Sequence, residues 1–420
     1  MQAAELFCFM KKLILLALVC AMAGACSKES EDRLRKATVK GAVMAYQSSG
    51  GTRATRAGSD FSGFNTVDAA GNVKPIRFIT DRGDTLDMRI SAVKSLSERY
   101  MLLKGSFHNP QDLRFYYNTL LVDVNTEYIY AIEGVKDLDE DLPVFSDDYG
   151  CWYFVSSGTV VKLNASNPDN LTVESCLAEG QSANRYWVSA DGVIYYEYGP
   201  NSKFKCPGGR TYTFEELLGV SSASVFCGHS GVFYAAAGDI YKISLQGPNI
   251  LQAQVVWESD LETWNSVYAP FYCPNPKRKE HIAVNNNSLY VFNEELNEMR
   301  KIEQSESIPS IGEYCGWESA SWTNAFVTSE SLFIFDRSYK KLYQISLADY
   351  SVHMVDMVQA GYEVGQGTVS CSLDSPGLSF AGLRYADGKN VVGMINEDGS
   401  ITANEKTATD TPIVSLVRLN

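Results

Sequence analysis

Apolar and aromatic residues recur along this chain in runs of four, each set just behind a polar or glycine-containing turn. The runs are Tyr100–Leu103, Trp152–Val155, Val193–Tyr196, Val232–Ala235, Leu289–Phe292, Leu332–Phe335 and Val391–Met394. Their length and their β-branched and aromatic content predict buried strands rather than helix segments. Before most of them stands another apolar stretch, such as Tyr186–Val188, Val225–Cys227, His281–Val284 or Ala325–Val327. The two are separated by Ala190-Asp191-Gly192, Gly228-His229-Ser230-Gly231 or Asn285-Asn286-Asn287-Ser288. These residue types tolerate positive φ and suit tight hairpins. A third strand follows in Ile129–Ile132, Val160–Leu163, Ile240–Ile243, Met299–Ile302 and Leu342–Ile345, and a fourth in Gln254–Trp257 and Val352–Val355.

The unit is therefore a four-stranded antiparallel meander with a period of roughly 40–57 residues. An all-β chain with that period predicts a β-propeller, and the seven runs predict seven blades of four-stranded antiparallel sheets. One such sheet cannot bury both faces alone, so blades stack around an axis. A pair of β-sandwiches is the competing fold, but it would leave seven copies of one pattern unexplained. Pro75–Ile79 and Ile413–Val417 are the candidate strands for closing the ring.

The first residues carry a different signal. Lys11 and Lys12 precede an apolar run, Leu13–Val19, and then Ala23-Gly24-Ala25 ahead of Cys26. The layout is that of a signal peptide over residues 1–25 and is too short for a membrane span. Met10 opens it better than Met1. The segment resembles the lipobox of bacterial lipoproteins, with Ala23 in place of the commoner leucine. That resemblance implies acylation of Cys26, which becomes the new N-terminus and the membrane anchor. Ser27–Asp32 is similar to the Lys-then-acidic tag of surface-exposed lipoproteins of Bacteroidota, although Ser30 interrupts the acids. Residues 26–62, rich in Ser, Gly, Thr, Ala and Arg, read as the lipidated cysteine and a flexible tether, and 63–420 as the propeller domain.

Charge and cysteine usage narrow the chemistry. A net charge of −14 argues against nucleic acid and anionic membrane surfaces as partners. Seven cysteines follow Cys26 without a C-x-x-C, and the four histidines show no ligand spacing, so neither a metal site nor a cofactor is predicted. Cys151 and Cys227 fall in or beside apolar strands and read as core. Cys273 and Cys315 fall in irregular stretches and could pair. The acidic run Asp137–Asp141 lacks the glycine and spacing of a calcium loop. No P-loop, H-E-x-x-H or G-x-S-x-G occurs, and Gly228–Gly231 lies in a strand-to-strand turn rather than an elbow.

The links between repeats hold the candidate ligand contacts. One carries Trp264, Tyr268, Phe271 and Tyr272, followed by Lys277-Arg278-Lys279. The next carries Tyr314, Trp317 and Trp322, and a third delivers Arg185, Tyr186 and Trp187. Flat aromatics beside polar groups suit sugar faces or the apolar anchors of a protein partner. The whole from about residue 75 resembles the irregular propellers common among Bacteroidota lipoproteins, by pattern and not by a fixed motif. That resemblance implies a surface or periplasm-facing outer-membrane lipoprotein that binds a glycan or peptide without catalysis. A polysaccharide lyase or glycoside hydrolase with its site in the central funnel is one alternative. A structural subunit of an outer-membrane complex is another.

Overall fold

In the computed structural model the described residues are 34–37, 39, 43–47, 64–80, 83, 85–86, 88–97, 99–108, 115–132, 135, 138, 145–146, 151–156, 159–167, 170–176, 185–189, 192–197, 203–227, 233–258, 271–275, 278–285, 288–303, 324–336 and 338–418. They form eight four-stranded antiparallel sheets and one three-stranded sheet. Seven of the eight are meanders continuous in sequence. The second sheet runs Met88–Ser95, Tyr100–His108, Phe115–Asp123 and Ile129–Ala131, and the third Phe145–Ser146, Cys151–Ser156, Thr159–Asn164 and Thr172–Ser175. The fourth is Arg185–Ser189, Gly192–Glu197, Lys203–Lys205 and Thr211–Thr213. The fifth is Ser224–Cys227, Phe233–Ala237, Asp239–Gly247 and Ile250–Trp257. The sixth holds Phe271–Asn275, Arg278–Asn285, Ser288–Asn293 and Met299–Glu303, and the seventh Ala325–Val327, Ser331–Phe335, Lys341–Ser346 and Val352–Asp356. The eighth is Tyr362–Ser370, Gly377–Arg384, Lys389–Asn396 and Ile401–Thr409.

These seven sheets contain the seven apolar runs. The remaining sheet is made from both ends of the chain: Ile413–Arg418 pairs with Val43–Gln47, followed by Phe64–Val67 and Val73–Pro75. The sequence repeat counts seven because this sheet has no contiguous copy of the pattern. Its strands are short, and two of them are separated by the rest of the chain.

Apolar side chains weld most of the sheets to the next, and between the third and fourth the first strands Phe145–Ser146 and Arg185–Ser189 lie side by side. Leu102 and Leu121 of the second sheet pack with Phe154 and Val161 of the third. Phe204 of the fourth meets Ile243 of the fifth, and Phe226 of the fifth meets Phe292 of the sixth. Leu289 joins Ile345 between sixth and seventh, and Phe335 joins Phe380 between seventh and eighth. Val392 of the eighth packs on Leu416 of the closing sheet, whose Val417 reaches Met101 and Leu103 of the second. The first strands of neighbouring sheets also lie side by side. Ile413–Arg418 rests against both Tyr362–Ser370 and Met88–Ser95, and Phe271–Asn275 against Ala325–Val327. First strands inside, fourth strands outside and a closing sheet shared by the two chain ends define a β-propeller.

Of the two expected closing segments, Ile413–Val417 closes the ring against Val43–Gln47, and of Pro75–Ile79 only Pro75 lies in the closing sheet. Pro75 ends an outer strand, where its missing N–H costs no ladder bond, and Phe78–Thr80 joins the three-stranded sheet with Leu34–Ala37 and Thr85–Leu86. That small sheet seals one flank of the second sheet: Val39 and Phe78 are buried against Val122, and the Val39 N–H donates to Glu127 Oε1 at 3.1 Å. Leu34–Ala37 and Val43–Gln47 both fall within residues 26–62, read from sequence as a tether. Within that stretch the pattern Val43-Met44-Ala45-Tyr46 is short and flanked by Gly and Ser, which hides it. Cys273 is a buried free thiol, so no Cys273–Cys315 bond forms. Burial raises its pKa strongly.

Candidate functional site

Turns capped by Asp and Asn shape the molecular surface. In the seventh sheet, the turn into the fourth strand reads Asp349-Tyr350-Ser351. Asp349 Oδ1 accepts the Ser351 N–H at 3.1 Å and its hydroxyl at 2.7 Å, while Tyr350 sits at φ +62°. In the eighth sheet the corresponding turn is one residue shorter and reads Asp398-Gly399-Ser400. Asp398 Oδ1 accepts the Ser400 N–H at 2.9 Å and its hydroxyl at 2.5 Å, and Gly399 sits at φ +78°. The bonds from the serine hydroxyls, first among several, hold both carboxyls below the ordinary aspartate value. The left-handed residue of each turn faces the preceding sheet, and the two do different things there.

Tyr350 is buried between the sixth and seventh sheets. Its hydroxyl donates toward both Glu280 oxygens at 2.7 Å, and Arg300 also reaches that hydroxyl. Arg300 bonds Glu280 Oε1 at 3.2 Å, and its guanidinium lies 4.6 Å from the centre of the Tyr350 ring. That junction is closed.

At the next junction Gly399 has no side chain to offer, and a cleft of about 250 Å³ lies between the seventh and eighth sheets. Its floor is a polar network. Thr328 Oγ1 donates to Glu397 Oε1 at 2.7 Å, and the Ser331 hydroxyl donates to Oε2. Gln344 Nε2 donates to the Glu397 carbonyl at 2.6 Å and to Ser331 Oγ at 3.3 Å. Gln344 pairs across the ladder with His353, which places the exposed imidazole above it. A Cβ on Gly399 would come within 2.6 Å of the His353 ring. Glycine suits this position both for φ and for room. Toward the axis, the same end of the ring carries Cys371 and Arg418. Cys371 Sγ donates to the Val327 carbonyl at 3.3 Å, and burial pushes its thiol up to about 12. The Arg418 N–H donates to Ser370 Oγ at 2.8 Å, and burial lowers the pKa of its guanidinium.

The residues selected from sequence stand elsewhere. Arg185, Tyr186 and Trp187 belong to Arg185–Ser189, the innermost strand of the fourth sheet, and not to a link; Tyr272 belongs to Phe271–Asn275, opposite His281. They share a strand because β-branched and aromatic neighbours continue the ladder with Gly192–Glu197. Trp264, Tyr268, Tyr314, Trp317, Trp322 and Cys26 lie outside the described residues. The cleft was missed because its residues are scattered and polar. The recurring Asp-x-Ser before a fourth strand was the available signal. Among the described residues, no group of three or more His, Cys, Asp or Glu is placed to hold a metal ion, and no helix is long and apolar enough to cross a membrane.

No family model and no curated protein matches the chain. Solved structures are similar at low identity. Citrobacter koseri AztD is 11% identical over 81% of this chain and 94% of its own, with a TM-score of 0.40. The Cps50 (Swd1) β-propeller domain of Myceliophthora thermophila is 10% identical over 67% and 89%, with a TM-score of 0.37. Virginiamycin B lyase from Staphylococcus aureus, as a catalytically inactive variant with quinupristin, is 12% identical over 62% and 82%, with a TM-score of 0.34. At these values the likenesses carry no argument about what this chain does.

Proposed function

We propose that this chain is a lipid-anchored outer-membrane binding module, held through Cys26, that captures a glycan or peptide outside the cell without transforming it. The observation that carries the binding reading is the state of Glu397. Both of its oxygens accept hydroxyl hydrogens, from Thr328 and Ser331, and its main-chain carbonyl is bonded by Gln344. A carboxylate fastened this way fixes the shape and charge of the cleft and is poorly placed to exchange a proton with a substrate. Held polar groups around a small concavity suit recognition.

A glycan and peptide array probed with the full chain tests this, alongside a turnover assay on the ligands that bind. Retention of an unchanged ligand supports the reading, and hydrolysis or elimination products overturn it. Trp264→Ala and Trp317→Ala locate the ligand: weaker binding at an unchanged melting temperature places it on the aromatic links, and unchanged binding places it at the cleft. For the anchor, intact mass should show acyl chains on Cys26, and Cys26→Ala should move the protein to soluble fractions. An unmodified Cys26 overturns that part.

A further inference from the structure

We infer that the cleft between the seventh and eighth sheets takes a primary ammonium group, an inference that rests on the binding reading above and names the ligand chemistry. The walls offer acceptors and negative charge: the carboxylates of Glu330, Glu397 and Asp398 and the hydroxyls of Ser331, Ser346 and Ser351 line it, and among its lining residues there is no Lys or Arg. Asp398 Oδ1 is occupied by Ser400, which leaves Oδ2 without a protein donor among the described residues.

Gln344 supplies the second, independent observation. It is only 5% exposed, its Nε2 is engaged by Glu397 and Ser331, and its Oε1 accepts no hydrogen bond. Turning the amide over would set its oxygen against the Glu397 carbonyl and carboxylate, so the network fixes the orientation. The orphaned Oε1 lies 3.8 Å from where a Cβ of Gly399 would stand, on the side of the cleft that the exposed His353 ring covers. An outward turn of that ring would open Oε1 to a donor from the cleft. The orphaned Oε1 therefore lacks a hydrogen donor, in a cleft lined by carboxylates without Lys or Arg. An ammonium supplies three donors and one charge on a compact centre. The cleft is smaller than the roughly 300 Å³ at which pockets begin to hold whole small ligands. It suits the end of a chain, either a lysine side chain within a peptide or a free small amine.

Calorimetric titration of the full chain with three probes tests this: Nα-acetyl-lysine amide, its Nε-acetylated neutral form, and propylamine. The lysine amide should bind, Nε-acetylation should weaken it by at least about tenfold, and about 0.5 M NaCl should weaken it further. Glu330→Gln combined with Asp398→Asn should lower affinity by about tenfold in a protein that still folds, as its circular dichroism spectrum would show. Propylamine as tight as the lysine amide identifies the ammonium alone as the determinant; weaker propylamine identifies a peptide lysine. Equal binding of the acetylated probe, no binding of either amine, or an indifferent double variant overturns the inference. An array ligand that the double variant still binds overturns the ammonium assignment and leaves the binding reading standing. No ligand on the array removes both.

Discussion

Two neighbouring junctions of this ring carry the same Asp-x-Ser cap and end in opposite states. Between the sixth and seventh sheets, Tyr350 occupies the left-handed position of Asp349-Tyr350-Ser351 and is tied to Glu280 and Arg300. Between the seventh and eighth, Gly399 occupies that position in Asp398-Gly399-Ser400, and the space stays open down to Gln344. The Asp–Ser cap is shared, while the loop of the eighth sheet is one residue shorter. The side chain at the left-handed position fills one junction and leaves the other open. Asp123, Asn293 and Asp336 cap other turns whose left-handed residues Glu127, Leu296 and Tyr339 are likewise buried.

The largest expected effect comes from emptying the closed junction. Tyr350→Ala keeps the same backbone class but removes the ring and leaves Glu280 with Arg300 alone, which should cost about 3 kcal/mol in denaturant unfolding. A loss under roughly 1 kcal/mol would mean that Tyr350 is not what closes the junction. Tyr350→Phe keeps the ring and removes only the bonds to Glu280. It should cost about 2 kcal/mol, because an acceptor carboxylate is charged. Near-neutrality there would assign the closure to packing alone. Gly399→Ala should cost roughly 1 kcal/mol for the left-handed backbone and should displace His353, read as a changed ring chemical shift. Gly399→Tyr carries the comparison furthest, because it should close the cleft and abolish lysine-amide binding.

Acid should act least, and on both turns alike. Asp349 and Asp398 have folded pKa values below the ordinary 3.8. Their contribution is complete above the unfolded value and is lost as pH falls below 3.8 through the folded values. The amide shifts of Ser351 and Ser400 should therefore move together below that pH. Movement of one turn without the other would show that the two caps are not equivalent.

The ring was legible because it rests on local pattern. Leu289–Phe292 and Leu332–Phe335 announce buried strands, and Asn285–Ser288 announces its hairpin, through residues adjacent in sequence. The closing sheet was not, since Val43–Gln47 finds its partner only at the far end of the chain. The cleft was illegible for a related reason. Thr328, Gln344 and Glu397 are ordinary polar residues until the ring brings them together, and polar spacing across two sheets has no period to read. Gly399 looked like any hairpin glycine, and only its contrast with Tyr350 reveals its part.

The register of the closing sheet has a mechanical consequence. Val43 pairs with Arg418, Met44 with Val417 and Ala45 with Leu416, so the chain enters and leaves this ladder at the same end. A pull between the two ends of the protein loads the rungs one after another, as in a zipper, and not all at once, as in a shear joint. Once Leu34–Ala37 has come away from Phe78–Thr80, the propeller should yield to such tension at Val43–Arg418, at low force. The welded sheets behind it would be released only after Ile413 has let go of Gln47.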